Sequence, residues 1–165
     1  MSRSSTATVR HHPVAQRASA SGAFRVHSES FVVDTTEHTA IIDITERVSA
    51  IVHKLGIREG LASVCSMHTT CTLFINEYQV ALRSDMKAFL EHVVDSNGGY
   101  LHNDPAHSDC DRANADSHLR AMLLGNGLTL QVSGADVVLG QWQRILMAEL
   151  DGPRPRTLRV QVMGV

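Results

Sequence analysis

Three histidines carry the first suggestion of chemistry. His68 stands in SMHTTCTLFINEY, residues 66–78, a stretch that otherwise reads as buried strand; His102 follows Tyr100 by two in a polar segment; His118 lies in NADSHL. Imidazole is acid, base or metal ligand near neutral pH. If the three converge, they leave one position of a tetrahedral ion open to water or substrate, as catalytic rather than structural zinc requires. The neighbours Thr69, Thr70, Asn76 and Glu77 are polar in an apolar context. A buried polar group without a partner costs about 1–3 kcal/mol, so each needs a partner or a pocket. Asn114 and His118 are one helical turn apart, at the rim of the apolar face of Ala115, Leu119 and Met122. The plainer alternative is a set of surface or hydrogen-bonded core histidines, since the chain has ten. Asn76 and Glu77 also suit the start of a helix.

Other constellations say less. Cys65, His68 and Cys71 form C-x2-H-x2-C, but along a continuous strand position 68 points away from 65 and 71, which favours inert buried thiols over zinc. The loop HNDPAHSDCD lacks any calcium-loop spacing. In DGPRPR, Gly and Pro fix a turn, and Arg154 and Arg156 have the fork geometry to hold a phosphate. There is no P-loop, no GxGxxG and no G-x-S-x-G elbow.

The elements that must position these groups follow from periodicity. FRVHSESFVV and HTAIIDI read as strands. Ile44, Val48, Ile51, Val52 and Leu55 make one helical stripe, with Asp43 or Thr45 available as N-cap and Gly56 past the end. GLASVCSMHTTCTLFINE is either two strands meeting near His68 to Thr70 or one long bent strand. Leu82, Met86, Phe89, Leu90 and Val93 predict a second helix packed on a sheet, ended by SNGGY; YLHNDPAHSDCDRAN is a long loop. A third helix from Ala115 turns Ala115, Leu119, Met122 and Leu123 inward, with Asn114 at its start. LTLQV, VVLGQWQRILMAEL and LRVQVMGV are β again. This order is α+β rather than doubly wound.

Composition narrows the partners. A chain of 165 residues supports one domain, and 43% hydrophobic with 19% charged residues is globular. A net charge of -2 gives no footprint for nucleic acid. No apolar run reaches the roughly 18 residues that span a bilayer, which predicts no membrane partner and a cytoplasmic protein. The odd count of three cysteines fits a reducing compartment. Residues 1–22 lack acids and apolar surface and read as a disordered tail rather than a transit peptide, which leaves 23–165 as the domain.

Taken in order, HTT, INE, an Asp in the next helix, Y-x-H, N-x-x-x-H-L, LGQWQ and ELDGPR resemble the YjbQ family, described as secondary thiamine-phosphate synthases. The resemblance covers residues 25–165. It implies a compact domain with a large mixed sheet and about three helices, assembled as a homotrimer. It implies histidine metal ligands at His68, His102 and His118. Asp85 is the helical aspartate, and Thr69, Thr70, Asn76, Glu77 and Asn114 are polar neighbours. CTLF after HTT departs from the small residues usual there. The implied activity joins hydroxymethylpyrimidine diphosphate to thiazole phosphate and releases diphosphate. That reaction needs Mg²⁺ or basic groups such as Arg154 and Arg156 on the leaving group, whereas three imidazoles suit zinc or a similar metal. Two alternatives stand beside it: a metal-dependent hydrolase with Asp85 or Glu77 as general base, and a non-catalytic trimer that binds a metal or metabolite.

Overall fold

The computed structural model describes residues 20–165. Most of the tail expected at 1–22 lies outside the described residues. The chain folds as one α+β unit in the order β1 (Arg25–Asp34), β2 (Ala40–Asp43), α1 (Thr45–Leu55), β3 (Glu59–Ser66), β4 (Cys71–Asn76), α2 (Val80–Val93), a 3-10 turn (Leu101–Asn103), α3 (Ala115–Leu124), β5 (Gly127–Ser133), β6 (Asp136–Val137), β7 (Arg144–Glu149) and β8 (Pro155–Gly164). The strands form a five-stranded sheet, β1-β8-β3-β5-β6, and a three-stranded sheet, β2-β7-β4. Every ladder between them is antiparallel. The single mixed sheet of the expectation is thus two antiparallel ones.

The principal core lies where α1 meets both sheets: Val48, Ile51 and Val52 pack with Val64, Leu73, Ile145, Met147, Leu158 and Val160. Helix α1 follows its stripe, but its start differs from expectation. Ile44 occupies the cap without a side-chain bond, while the Asp43 carboxylate accepts from the Thr45 N–H at 2.9 Å. Thr45 turns inward and its hydroxyl accepts from the Ile145 N–H at 2.8 Å. Gly56 ends the helix in the left-handed region, as expected, at φ 63°.

A second cluster joins Ile41, Leu146, Ala148 and Leu150 of the small sheet and its exit to Leu90 of α2 and Ala121 of α3. Here both helix expectations need correction. In α2 only Leu90 is buried, while Phe89 and Val93 are exposed. In α3, Met122 and Leu123 are exposed, and the buried face holds Asp116, Ser117 and Arg120 beside Ala115 and Ala121. Arg120 pairs with Asp116 at 2.9 Å and donates to the Leu90 and Val94 carbonyls at 3.2 and 2.7 Å. One guanidinium therefore adds a second bond to the Leu90 carbonyl, satisfies that of the C-cap Val94 and ties α3 to the end of α2.

Of the connections that pass between the two sheets, three are hydrogen-bonded to one another: β1 to β2 and β7 to β8 through the Thr35 N–H and the Arg154 carbonyl, and β7 to β8 and β3 to β4 through the Leu150 N–H and the Thr70 carbonyl. They lie side by side along the seam. His68, Thr69 and Thr70 belong to the connection from β3 to β4, so the two-strand reading of residues 60–77 is the observed one.

Candidate functional site

Two polar groups share this seam. The inner one is a knot around Glu149, the last residue of β7, and Arg156 in β8. Both are fully buried, and two guanidinium nitrogens of Arg156 donate to the two carboxylate oxygens of Glu149. Arg156 also donates to the Thr70 hydroxyl and carbonyl at 3.0 and 3.3 Å. Glu149 accepts from the Thr35 hydroxyl at 3.0 Å and the Asp151 N–H at 2.8 Å. Burial pushes the Glu149 carboxyl up, but the bonds from Arg156, Asp151 and Thr35 outweigh it and hold it below its ordinary value. Thr35 and Asp151, from two of the crossovers, thus meet at the Glu149 carboxylate, and Thr70 from the third reaches it through Arg156. Gly152 completes the packing, because a Cβ there would meet the Glu37 carbonyl and sit 2.8 Å from Glu149 Cγ.

This knot answers part of the puzzle of SMHTTC. Thr70 and Thr72 are buried because each has a partner: Arg156 for Thr70, and the Gly125 carbonyl for the Thr72 hydroxyl. It also corrects the expectation for Arg156. With its fork spent on Glu149 and no exposed surface, Arg156 holds the sheets together and does not hold a substrate phosphate.

The outer group is the histidine cleft. His68 is anchored by the neighbouring strand, since the Thr157 N–H donates to its Nε2 at 2.8 Å. Burial first, and then the charge of Arg156, lower the pKa of His68, with Glu149 opposing. A neutral imidazole that accepts at Nε2 carries its proton at Nδ1, so His68 is an N–H donor. His118 projects from α3, and its ring meets that of His102 edge to face at 5.1 Å. Burial and then His102 lower the His118 pKa, against the pull of Asp151. His102 comes from the 3-10 turn, with Nε2 3.2 Å from the Asn114 Oδ1.

The three histidines line two adjoining clefts that share His118. One, of about 360 Å³, is bounded by His68, Thr69, Cys71, His118, Met122 and Asn126. The other, of about 480 Å³, is bounded by Tyr100, Leu101, His102, Ala115, His118 and Leu119 and is largely apolar. Cys71 faces the first as a thiol, its pKa raised by burial. Strand alternation does not relate Cys65, His68 and Cys71, because Cys65 lies in β3 one residue before its end, His68 lies in the crossover and Cys71 begins β4. Among the described residues no three His, Cys, Asp or Glu side chains stand together to hold a metal. The donors explain why. His102 and His118 are spaced as two imidazoles on one tetrahedral ion with bonds of about 2 Å can be, whereas the Nε2 lone pair of His68 is already taken.

The remaining sequence candidates divide. Asn114 is buried between His102 and Asp151, its amide nitrogen donating to Asp151 Oδ2 at 2.8 Å. Arg154 stands 3.0 Å from the same oxygen, although its Nη2 is not aligned as a hydrogen bond. Asn76 caps the Glu77 N–H locally at 2.9 Å; Asn76 and Glu77 are exposed before the start of α2 and Asp85 is exposed within it, all outside both clefts. Two residues were missed. Glu149 closes a strand that is apolar from Ile145 to Ala148, and Asp151 sits in the DGPRPR turn, where it reads as turn chemistry alone. A signal for Arg156 was available in β8, where strict alternation puts 156, 158, 160 and 162 on the buried face.

Residues 29–165 match the family model for UPF0047 protein YjbQ-like. The chain is 42% identical to a UPF0047 protein of Methanothermobacter thermautotrophicus, over 84% of this chain and 93% of that one. It is 31% identical to the UPF0047 protein YugU of Bacillus subtilis, over 80% and 96%. A crystal structure of a YbjQ-like protein of unknown function from Sulfolobus solfataricus superposes with a TM-score of 0.81 at 30% identity, covering 87% of this chain and all of that one. With the fold, the conserved length and the family model in agreement, this chain belongs to the UPF0047/YjbQ family.

Proposed function

We propose that the chain is a small-molecule transferase of the thiamine-phosphate synthase type, with its reaction centred at His118. The observation that carries this reading is the pair of clefts meeting at one imidazole. A condensation of two substrates needs two subsites that bring the reacting atoms together, and positioning of this kind supplies much of the rate. The polar cleft offers the His68 N–H, Thr69 and Asn126 to a phosphate-bearing partner. The apolar cleft offers Tyr100, Leu101 and Leu119 to a heteroaromatic ring. In the reaction the thiazole nitrogen forms a bond to the pyrimidine methylene as the carbon–oxygen bond to diphosphate breaks, and diphosphate leaves. Mg²⁺, when bound with the diphosphate, neutralises the leaving group. Arg156 is not available for that task, which leaves Arg154 of the two.

The test is formation of thiamine phosphate from the two purified precursors. Product that requires both precursors and Mg²⁺ supports the reading; no product with both present overturns it.

A second reading, a hydrolase, is favoured by the close His102–His118 pair and by the neutral state to which burial biases His118. Zinc or a similar metal held by these two residues would supply activated water. Incorporation of solvent oxygen into a product identifies it. A homotrimer is part of the proposal: Phe89, Val93, Met122 and Leu123 expose apolar surface on α2 and α3, and light scattering of the purified chain tests it. A cytoplasmic setting fits the three unpaired cysteines, and among the described residues no helix is long and apolar enough to cross a membrane.

A further inference from the structure

We propose that Asp151 and Asn114 are positioning residues that hold His102 in the tautomer protonated at Nε2, so that its Nδ1 keeps the free lone pair. The inference rests on hydrogen-bond direction. A carboxylate only accepts, and Asp151 Oδ2 lies 2.8 Å from one end of the Asn114 amide, which must therefore be Nδ2. Arg154 and Arg112 stand on the same carboxylate oxygen at 3.0 and 3.8 Å and keep it an acceptor. With Nδ2 fixed, Oδ1 faces His102, 3.2 Å from Nε2, and an amide oxygen only accepts. Nε2 is then the donor. A neutral imidazole has one N–H, so Nδ1 is bare.

The frame around this relay is also set. Asn103, next to His102, accepts the Ala115 N–H at 2.9 Å, which ties the 3-10 turn to the start of α3 beside Asn114. His68 has the opposite assignment, because the Thr157 N–H takes its Nε2. The cleft thus presents a donor nitrogen on His68 and an acceptor nitrogen on His102. Any ligand or ion that uses both must accept from the first and donate to, or be bound by, the second. Partners behind a ligating histidine orient it in this way and raise its basicity.

This inference deepens the reading of the histidine cleft, and it is read from tautomers rather than turnover, so either can fail while the other stands. The experiment is long-range 1H–15N correlation spectroscopy of the ¹⁵N-histidine-labelled full chain at alkaline pH, with His102 and His68 assigned by loss of signal in His102→Gln and His68→Gln. In the wild type, His102 shows a single Nε2–H pattern and His68 an Nδ1–H pattern. In Asp151→Asn the Asn114 amide is free to turn over, and His102 gains an Nδ1–H population while His68 is unchanged. If Asp151→Asn also disturbs His68, and so the fold, Asn114→Ala gives the reading instead, since it removes the amide and leaves Arg154 on Asp151. Loss of the single His102 pattern in the variant that folds supports the relay. A wild-type His102 protonated at Nδ1, or a His102 pattern identical to wild type in the folded variant, overturns it.

Discussion

The Glu149–Arg156 knot and the histidine cleft share the seam between the sheets, where Thr70 of the one is two residues from His68 of the other, yet they treat polar groups in opposite ways. In the knot both oxygens of the carboxylate are taken and both residues are out of solvent. In the cleft His68 and His118 are half-buried, and each has a ring nitrogen with no protein partner among the described residues. A satisfied buried network specifies a fold, whereas polar groups left open at a cavity are available to a ligand. The knot holds three crossovers still, and one of them carries His68 to the cleft.

The sharpest way to break this contrast is to cut the knot. Arg156→Met strands the Glu149 carboxylate in the core, and a loss of about 3–5 kcal/mol is expected, read as a fall in the urea midpoint. Adding Glu149→Gln in the same chain should recover part of that loss, since the stranded charge is gone. Gly152→Ala comes next: its methyl group collides with the Glu37 backbone and Glu149, and about 1–3 kcal/mol should be lost by the same measurement.

Acid attacks the knot by a different route. The Glu149 carboxyl is held below its ordinary value of 4.5, so the unfolded chain binds more protons as pH falls past that value. Its contribution to stability is full above pH 4.5 and is lost as pH falls through the lowered native value. Urea midpoints across this range should fall less steeply for Glu149→Gln than for the wild type. The smallest effect belongs to the rim: Arg112 is half-exposed and 3.8 Å from Asp151, and Arg112→Ala should cost no more than about 1 kcal/mol.

The sequence displayed the first-order pattern of this molecule more clearly than its polar interior. Helix α1 was legible because Val48, Ile51 and Val52 form one stripe and Gly56 stops it. Helices α2 and α3 were legible as helices but not in the face they bury. Phe89 and Met122 repeat with helical period, and periodicity does not say whether an apolar side chain meets its own core or remains outside. Asp116 and Arg120 go inside because they satisfy one another and the end of α2, a tertiary arrangement that no local pattern encodes. The same holds for Glu149. His68, His102, His118 and Asn114 were identifiable by type and by resemblance, and the structure brings the three histidines to adjoining clefts with Asn114 behind His102. The tautomer of His68 was not legible, since it depends on a backbone N–H 89 residues away.

The most direct test of the division between scaffold and site is a pair of readings on His118→Ala: its urea midpoint and its rate of thiamine phosphate formation from the two precursors. The account expects stability within about 1 kcal/mol of wild type, as for a half-buried side chain outside the knot, and a rate lower by roughly 10²-fold or more, the usual cost of removing an acid–base group. A folded variant that turns over as the wild type does would contradict it.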